Sequence, residues 1–322
     1  MANTYTGTAT ITNQTGITNL VTTAYDKYVE FALRAMPLFR DVADKRPVNV
    51  TGPGSAVTFQ IYNDLAAVSA TLTENVEPDA VALSNTSTVT VTLNEYGNVV
   101  LETEKLVYES LSDIDPGVAN IVAYNMRDSL DGLVLSVLRQ GTNVSTSNAG
   151  AIDATAQATN TLTATDIFSS SLARYIPTAL RTNAAVPRRG DLYWCAIHPN
   201  VSYDLRSETG AAGWRQPHEY GQGTQGNIWA GEIGTYEGAY YIETPRAYVA
   251  TDGAVSAKVY RTIYAGQQAL AEAVAYEPHV VLGPIVDKLM RARPIGWKGL
   301  LGWARYREAS LWRVESGASV GN

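Results

Sequence analysis

Over residues 57–62 (Val57-Thr58-Phe59-Gln60-Ile61-Tyr62) and 88–93 (Thr88-Val89-Thr90-Val91-Thr92-Leu93), apolar and polar positions alternate one by one. That is the two-residue period of a strand with one buried face. The second run continues toward Glu104 with Gly97 as a bend or bulge, and a strand over 86–104 would reach roughly 60 Å at about 3.4 Å per residue. The pattern therefore predicts one long hairpin over 55–104. Globular strands are usually much shorter, and a two-stranded ribbon is marginal in water. Its apolar face must lie against something, and its reach points to another subunit.

Elsewhere the pattern changes period. Residues 1–23 are rich in Thr and Asn and read as an extended arm. Tyr25, Tyr28, Val29, Ala32, Leu33 and Met36 then recur at helical spacing until Pro37. The strongest helix has Asp115 as N-cap, Pro116 at its first position and a stripe of Val118, Ile121, Val122, Leu130, Leu133, Val134, Val137 and Leu138. Gly141 supplies its stop. At 1.5 Å per residue it is a spine about 37 Å long. The Ser, Thr, Asn and Ala tract over 142–163 holds one charge, Asp153, and reads as a loop. A second helix starts from Thr165, carries Ile167, Phe168, Leu172, Tyr175 and Ile176, and is broken by Pro177. Beyond Gly190 the expected elements are a strand over 191–197, a short helix to Glu208, a Gly-rich segment over 210–234, strands over 240–243 and 255–263, a helix over 266–274 and a final strand over 309–314.

Charge divides the chain. Residues 47–104 contain no lysine or arginine, yet hold Asp64, Glu74, Glu77, Asp79, Glu95, Glu102 and Glu104. Residues 283–316 carry Lys288, Arg291, Arg293, Lys298, Arg305, Arg307 and Arg313 against Asp287, Glu308 and Glu315. A formal charge of -7 and an isoelectric point near 5.1 oppose tight binding to phosphate backbones, leaving only non-specific proximity to DNA. With 322 residues, 45% hydrophobic and 17% charged, the chain is ordered and long enough for two lobes. No stretch of 18 apolar residues calls for a membrane span. No secretory signal opens the sequence, so the chain is expected to be made and kept in solution. No repeat of 20 to 50 residues suggests a solenoid.

Candidate chemistry is weak in context. Gly221-Gln222-Gly223-Thr224-Gln225-Gly226 fits a dinucleotide fingerprint but lacks the preceding strand and following helix. Gly317-Ala318-Ser319-Val320-Gly321 fits a nucleophile elbow with no room for its helix. His198, His218 and His279 have no ligand spacing, so no metal or other cofactor is expected. Glu102 and Glu104 would share one face of a strand, an acid-base geometry with no pocket indicated. Cys195, in Leu192-Tyr193-Trp194-Cys195-Ala196-Ile197, reads as an inert core thiol. Trp297, Trp303 and Trp312 read as core or interface anchors rather than base-stacking surfaces.

The order of arm, long hairpin, spine helix, mixed lobe and return strand resembles the major capsid protein of tailed double-stranded DNA phages, the α+β Hong Kong 97-like capsid fold. Three local segments carry the resemblance: Gly231-Glu232-Ile233-Gly234-Thr235-Tyr236-Glu237-Gly238, Tyr260-Arg261-Thr262-Ile263-Tyr264-Ala265-Gly266, and Ile295-Gly296-Trp297-Lys298-Gly299. It covers nearly the whole chain. The resemblance implies an N-terminal arm at 1–54, an extended loop at 55–104 and a peripheral domain with the spine helix at 105–184. A mixed α/β axial domain at 185–279 and a return to the peripheral domain at 280–322 complete the division. It implies no enzyme activity, self-assembly as pentamers and hexamers of an icosahedral shell around DNA, a virion location after assembly in the host cytoplasm, and no membrane. A separate scaffolding protein is expected, since no scaffold-like N-terminal domain is visible. A portal and a decoration protein are further implied partners. The lysine with which some relatives weld subunits is missing from this loop, so no covalent cross-link is expected.

On that reading Glu74, Glu77 and Asp79 lie over a neighbour's Arg291, Arg293, Lys298, Arg305 and Arg307. Such complementarity sets partner and register more than affinity. An encapsulin-like compartment shell would share the fold and differ in cargo. A Thr-rich surface adhesin is opposed by the missing export signal.

Overall fold

A computed structural model describes residues 37–47, 56–61, 65–69, 71–78, 80–81, 87–109, 114–149, 151–153, 158–208, 232–285, 289 and 291–321. The helix expected near 25–36, the segment over 210–231 with its glycine fingerprint and His218, and Asp79 lie outside the described residues.

The spine helix α2 (Ile114–Leu138) organises the molecule by packing on two sheets. Toward its start, Val122 and Leu130 meet Ile295, Trp297 and Leu301. Toward its end, Val134 and Leu138 meet Trp194, Ala196, Ile263 and Leu311. The first sheet has four strands in the order β1-β12-β13-β4: β1 (Ala43–Pro47), β12 (Leu270–Leu282), β13 (Ala292–Arg305) and β4 (Asn94–Thr103). β1 is parallel to β12; the other pairings are antiparallel. β4 leads into the short helix α1 (Glu104–Glu109).

The second sheet is larger. It comprises β5 (Val144–Asn148), β6 (Ala151–Asp153), β7 (Tyr193–Ile197), β8 (Glu232–Tyr236), β9 (Ala239–Glu243), β10 (Val249–Ala250), β11 (Val259–Ala265) and β14 (Leu311–Ser316). The order is β6-β5-β14-β11-β7-β9-β8, with β10 on β11. Helices α3 (Ser170–Thr182) and α4 (Pro199–Ser207) cover one face, where Leu172, Ile176, Leu180 and Leu205 pack on Tyr193, Cys195, Ile197, Tyr241 and Tyr264. The spine helix covers the other, against Trp194 and Ala196. Covered on both faces, β7 is an unbroken apolar run, as a central strand must be. α4 starts where His198 Nδ1 accepts the N–H of Asn200 at 3.2 Å and Pro199 takes the first helical position.

Four expectations are corrected. The strand expected over 86–104 is two strands. β3 (Ser87–Thr92) pairs with β2 (Ala56–Ile61), whereas β4 turns away and pairs with β13. The predicted helix over 266–274 is the start of β12. Its residues Leu270 to Val274 are buried on both faces, which removes the alternation that would mark a strand and leaves an alanine-rich run of helical character. The tract read as a loop holds β5, parallel to β14, with Ser145, Thr146 and Ser147 buried. Hydrogen bonds replace apolar area there: Ser147 donates to the Ile167 carbonyl at 2.5 Å, and Trp312 Nε1 donates to Ser145 at 3.0 Å. Finally, α3 begins at Ser170 and runs through Pro177, whose ring is buried and lies 3.7 Å from where a Cβ on Gly238 would stand.

Candidate assembly surface

Alternation along β13 defines two faces of the four-stranded sheet. Ile295, Trp297 and Leu301 face the spine helix; Pro294, Gly296, Lys298, Leu300 and Gly302 face away from it. The base of the β2–β3 hairpin lies across one end of this outer face. Phe59 and Val91 pack on Ala271 and Ala273, and Phe59 meets Tyr306 edge to face at 6.1 Å. The approach is so close that a Cβ on Gly302 would stand 2.0 Å from the Thr92 carbonyl oxygen. Only glycine fits there.

Among the described residues, none covers the other end of the outer face. Gly97 and Val99 of β4, Gly296 and Lys298 of β13, and Val281 and Gly283 next to them line an open, mostly apolar trough of about 450 Å³. A Cβ on Gly97 would stand 2.7 Å from the Trp297 carbonyl oxygen, and one on Gly296 2.6 Å from that of Asn98. The floor is therefore backbone, held free of side chains by close strand approach. At its edge Lys298 Nζ lies 5.9 Å from the centroid of the Tyr276 ring, a long cation-π contact, and that hydroxyl is 2.9 Å from His279 Nε2.

The hairpin tip is the second bare surface. Every described residue from 65 to 81 is exposed, including Leu65, Val68, Leu72, Val76 and Val81. A turn at Glu74-Asn75, where Asn75 adopts φ 66° and the Val76 N–H reaches the Thr73 carbonyl at 3.3 Å, forms its vertex. Glu74 and Glu77 flank Val76 and are exposed. Asp79 lies outside the described residues.

The five basic residues singled out in the sequence do not form one patch. Arg293 stands opposite Glu102 across β4 and β13, on the helix side, and Arg291 precedes that strand. Arg305, also on the helix side, is bound 3.0 Å from Glu308 and donates to the Gln140 carbonyl beyond the spine helix. Arg307 is half-buried in the turn after β13, its N–H on the Gln268 carbonyl at 3.0 Å. Lys298 alone among the three in β13 faces outward. The glycines around it had a sequence signal, since Gly296, Gly299 and Gly302 recur inside one strand, where a missing side chain marks close backbone approach.

The chemical candidates resolve as structural parts. Glu102 is buried in β4 while Glu104 is exposed at the start of α1, so they share no site. His198 caps α4 and stacks on Tyr260 at 4.9 Å, and burial draws its pKa down. Ser319 is bound to Asp204, its N–H at 2.9 Å, which docks the C-terminal glycine motif on α4. Among the described residues, no three His, Cys, Asp or Glu side chains converge as metal ligands, and no helix is long and apolar enough to cross a membrane.

Buried charge ties the pieces together. Asp131 on α2 accepts the N–H of Phe39 and stands 3.0 Å from the Arg246 guanidinium. Burial pushes its carboxyl above the ordinary aspartate range, and these partners pull it back only in part.

Comparison with known proteins agrees with this architecture. No curated protein matches the sequence. The fold is similar to that of the capsid of cyanophage Pam1, at 12% identity and a TM-score of 0.74 over 94% of this chain and 98% of that one. The capsid of Ralstonia phage GP4 is similar at 15% identity and 0.73, over 97% and 100% of the two chains. The capsid of Helicobacter pylori bacteriophage KHP30 is similar at 12% and 0.70, over 93% and 97%. These likenesses show the Hong Kong 97-like fold. The family described as phage capsid protein matches residues 119–320, well over half of the sequence. The chain thus belongs to the phage capsid protein family, and its role is that of a structural component of the virion rather than an enzyme.

Proposed function

We propose that this chain assembles with copies of itself as the pentamers and hexamers of an icosahedral shell around double-stranded DNA. The exposed hairpin tip carries the reading. Leu65, Val68, Leu72, Val76 and Val81 stand in water along a segment with no packing partner of its own among the described residues. A run of this kind marks an interaction surface. Tip and receiving surface are different parts of one chain, so the contact is heterologous, and repetition closes rings and then a shell.

The acidic tip, Glu74, Glu77 and Asp79, meets basic charge of a neighbour; among Arg291, Arg293, Lys298, Arg305 and Arg307, Lys298 is the one β13 presents on its outward face, while Arg293 and Arg305 lie on the helix side. The arm at 1–54, the extended loop at 55–104, the peripheral parts at 105–184 and 280–322 and the axial domain at 185–279 are the corresponding divisions. A scaffolding protein, a portal and a decoration protein complete the assembly.

Electron microscopy of the purified chain, alone and with the products of its neighbouring genes, tests the reading. Closed shells with pentameric and hexameric units are expected, and a chain that stays monomeric under both conditions would refute it. Reversing Glu74 and Glu77 to lysine should abolish shells while leaving a folded monomer by circular dichroism. DNA inside isolated particles, rather than protein cargo, separates a virion shell from a cellular compartment.

A further inference from the structure

β4 is the longest edge strand of the two large sheets. It pairs with β13 on one side, and among the described residues nothing pairs with its other side. We infer that this free edge joins the same edge of a second copy of this chain, antiparallel, about a two-fold axis through Val99, so that two four-stranded sheets become one. The inference rests on the shell reading above and adds a contact between rings. Heterologous contacts close pentamers and hexamers, whereas an isologous one ties a ring to its neighbour.

Three observations carry it. First, the edge is unguarded. The other edge strands are short, with 5 residues in β1, 3 in β6 and 5 in β8, and β1 ends in Lys45, Arg46 and Pro47, residue types that blunt an edge. β4 has 10 residues, no lysine, arginine or proline, and a run of Val99, Val100 and Leu101 that is 60%, 41% and 60% exposed. A long apolar edge of this kind is a template for another strand. Second, the backbone is aimed outward. Glu104 donates its N–H to the Arg291 carbonyl at 2.8 Å, whereas the Val99 N–H is held by the Asn98 side chain at 2.9 Å. Hydrogen-bonding groups alternate sides along an antiparallel strand, so even-numbered residues bond β13, and Gly97, Val99 and Leu101 present theirs to the free edge. In the pair, the Val99 N–H exchanges Asn98 for the Val99 carbonyl of the second copy. Third, the edge complements itself. Centred on Val99, the pairing sets Leu101 opposite Gly97, Glu102 opposite Tyr96 and Glu95 opposite Thr103. Leu101 thus fills the space beside a residue with no side chain, and no acid faces an acid. Residues opposite each other share a face, so both copies keep their spine helices on one side and their hairpins on the other, as one wall of a shell requires.

Disulfide trapping in particles tests the register. The Cα atoms of a hydrogen-bonded antiparallel pair lie about 5.5 Å apart, within the span a disulfide bridges. Particles of Val99→Cys, oxidised with copper phenanthroline, should therefore run as dimers on a non-reducing denaturing gel. No higher ladder is expected, because each site meets only itself. Leu101→Cys is the control. Its two copies stand four positions apart in this register, roughly 14 Å at 3.4 Å per residue, so it should stay monomeric. The native Cys195 is fully buried and adds no band. Particles without the Val99→Cys dimer, or with an equal dimer from Leu101→Cys, would overturn the inference and leave the shell reading standing. Should Val99→Cys block assembly, Val99→Lys decides. It sets two cations face to face on the axis, so the subunit should stay folded by circular dichroism and form rings but no shells. Unchanged shell yield from Val99→Lys, or loss of the rings as well, would equally overturn it. Absence of shells from the unaltered chain would instead refute the assembly reading.

Discussion

The carboxylate of Asp131 accepts the backbone N–H of Phe39 at 2.6 Å, across 92 positions of sequence. That bond fastens the segment entering β1 to the middle of the spine helix. The same carboxylate binds Arg246, which precedes β10 in the larger sheet, so one buried acid joins three distant segments. Removing it leaves the buried Phe39 N–H without its acceptor and takes one of two carboxylates from Arg246, which keeps Asp128. Asp131→Ala should destabilise the unassembled subunit by about 2 kcal/mol, the cost of leaving a buried donor unsatisfied. A lower midpoint in thermal and denaturant unfolding checks this, and an unchanged midpoint would show that the junction is held by apolar packing alone.

Asp166 sets a pH dependence. Burial by itself would raise its carboxyl, but the N–H of Ala149 at 2.8 Å, the N–H of Thr163 at 2.7 Å and the Thr163 hydroxyl at 2.9 Å hold it below the ordinary aspartate range. The unfolded chain therefore takes up the proton first as pH falls. The stabilisation is complete above the ordinary value of about 3.9 and is lost as pH drops through the lower folded value. Asp166→Asn should flatten the acid limb of stability against pH, measured by urea unfolding between neutral and strongly acid buffers.

Gly302 sets the seat of the hairpin. A side chain there collides with the Thr92 carbonyl at 2.0 Å, and backbone cannot swing aside as a flexible side chain would. Gly302→Val should lift β2 and β3 from the sheet at a cost of about 2 kcal/mol, in the range of overpacked cores. Limited proteolysis should then cut within 56–92 faster than in the unaltered subunit.

Cys195 should be silent. It is fully buried in β7, and burial pushes its thiol well above the ordinary cysteine range. Since the thiolate is the reactive form, a thiol reagent should label none of the folded subunit and one site per chain in denaturant.

Periodicity located several elements because the cause of the pattern was local. The stripe from Val118 to Leu138 follows from one helix with one dominant packed face, and the alternation of Val57, Phe59, Val89 and Val91 from a ribbon with one side against protein. Where both sides were covered, the signal vanished. Leu270, Ala271, Glu272, Ala273 and Val274 are all buried, so no alternation distinguished a strand from a helix. β5 was hidden for the opposite reason, since serine and threonine fill a buried strand when their hydroxyls find partners.

By itself the sequence determined the spine helix, the acidic and basic division of the chain, and a ribbon too apolar to stand alone, because each depends on neighbours in sequence. Tertiary structure alone decided that β4 leaves β3 to pair with β13, that Arg305 is bound within its own chain and Lys298 faces outward, and that Gly97 joins the distant Gly283 and Gly296 in one trough. Those outcomes depend on which strands meet, and Gly97 becomes a neighbour of Gly283 and Gly296 only through a pairing made nearly 200 residues apart.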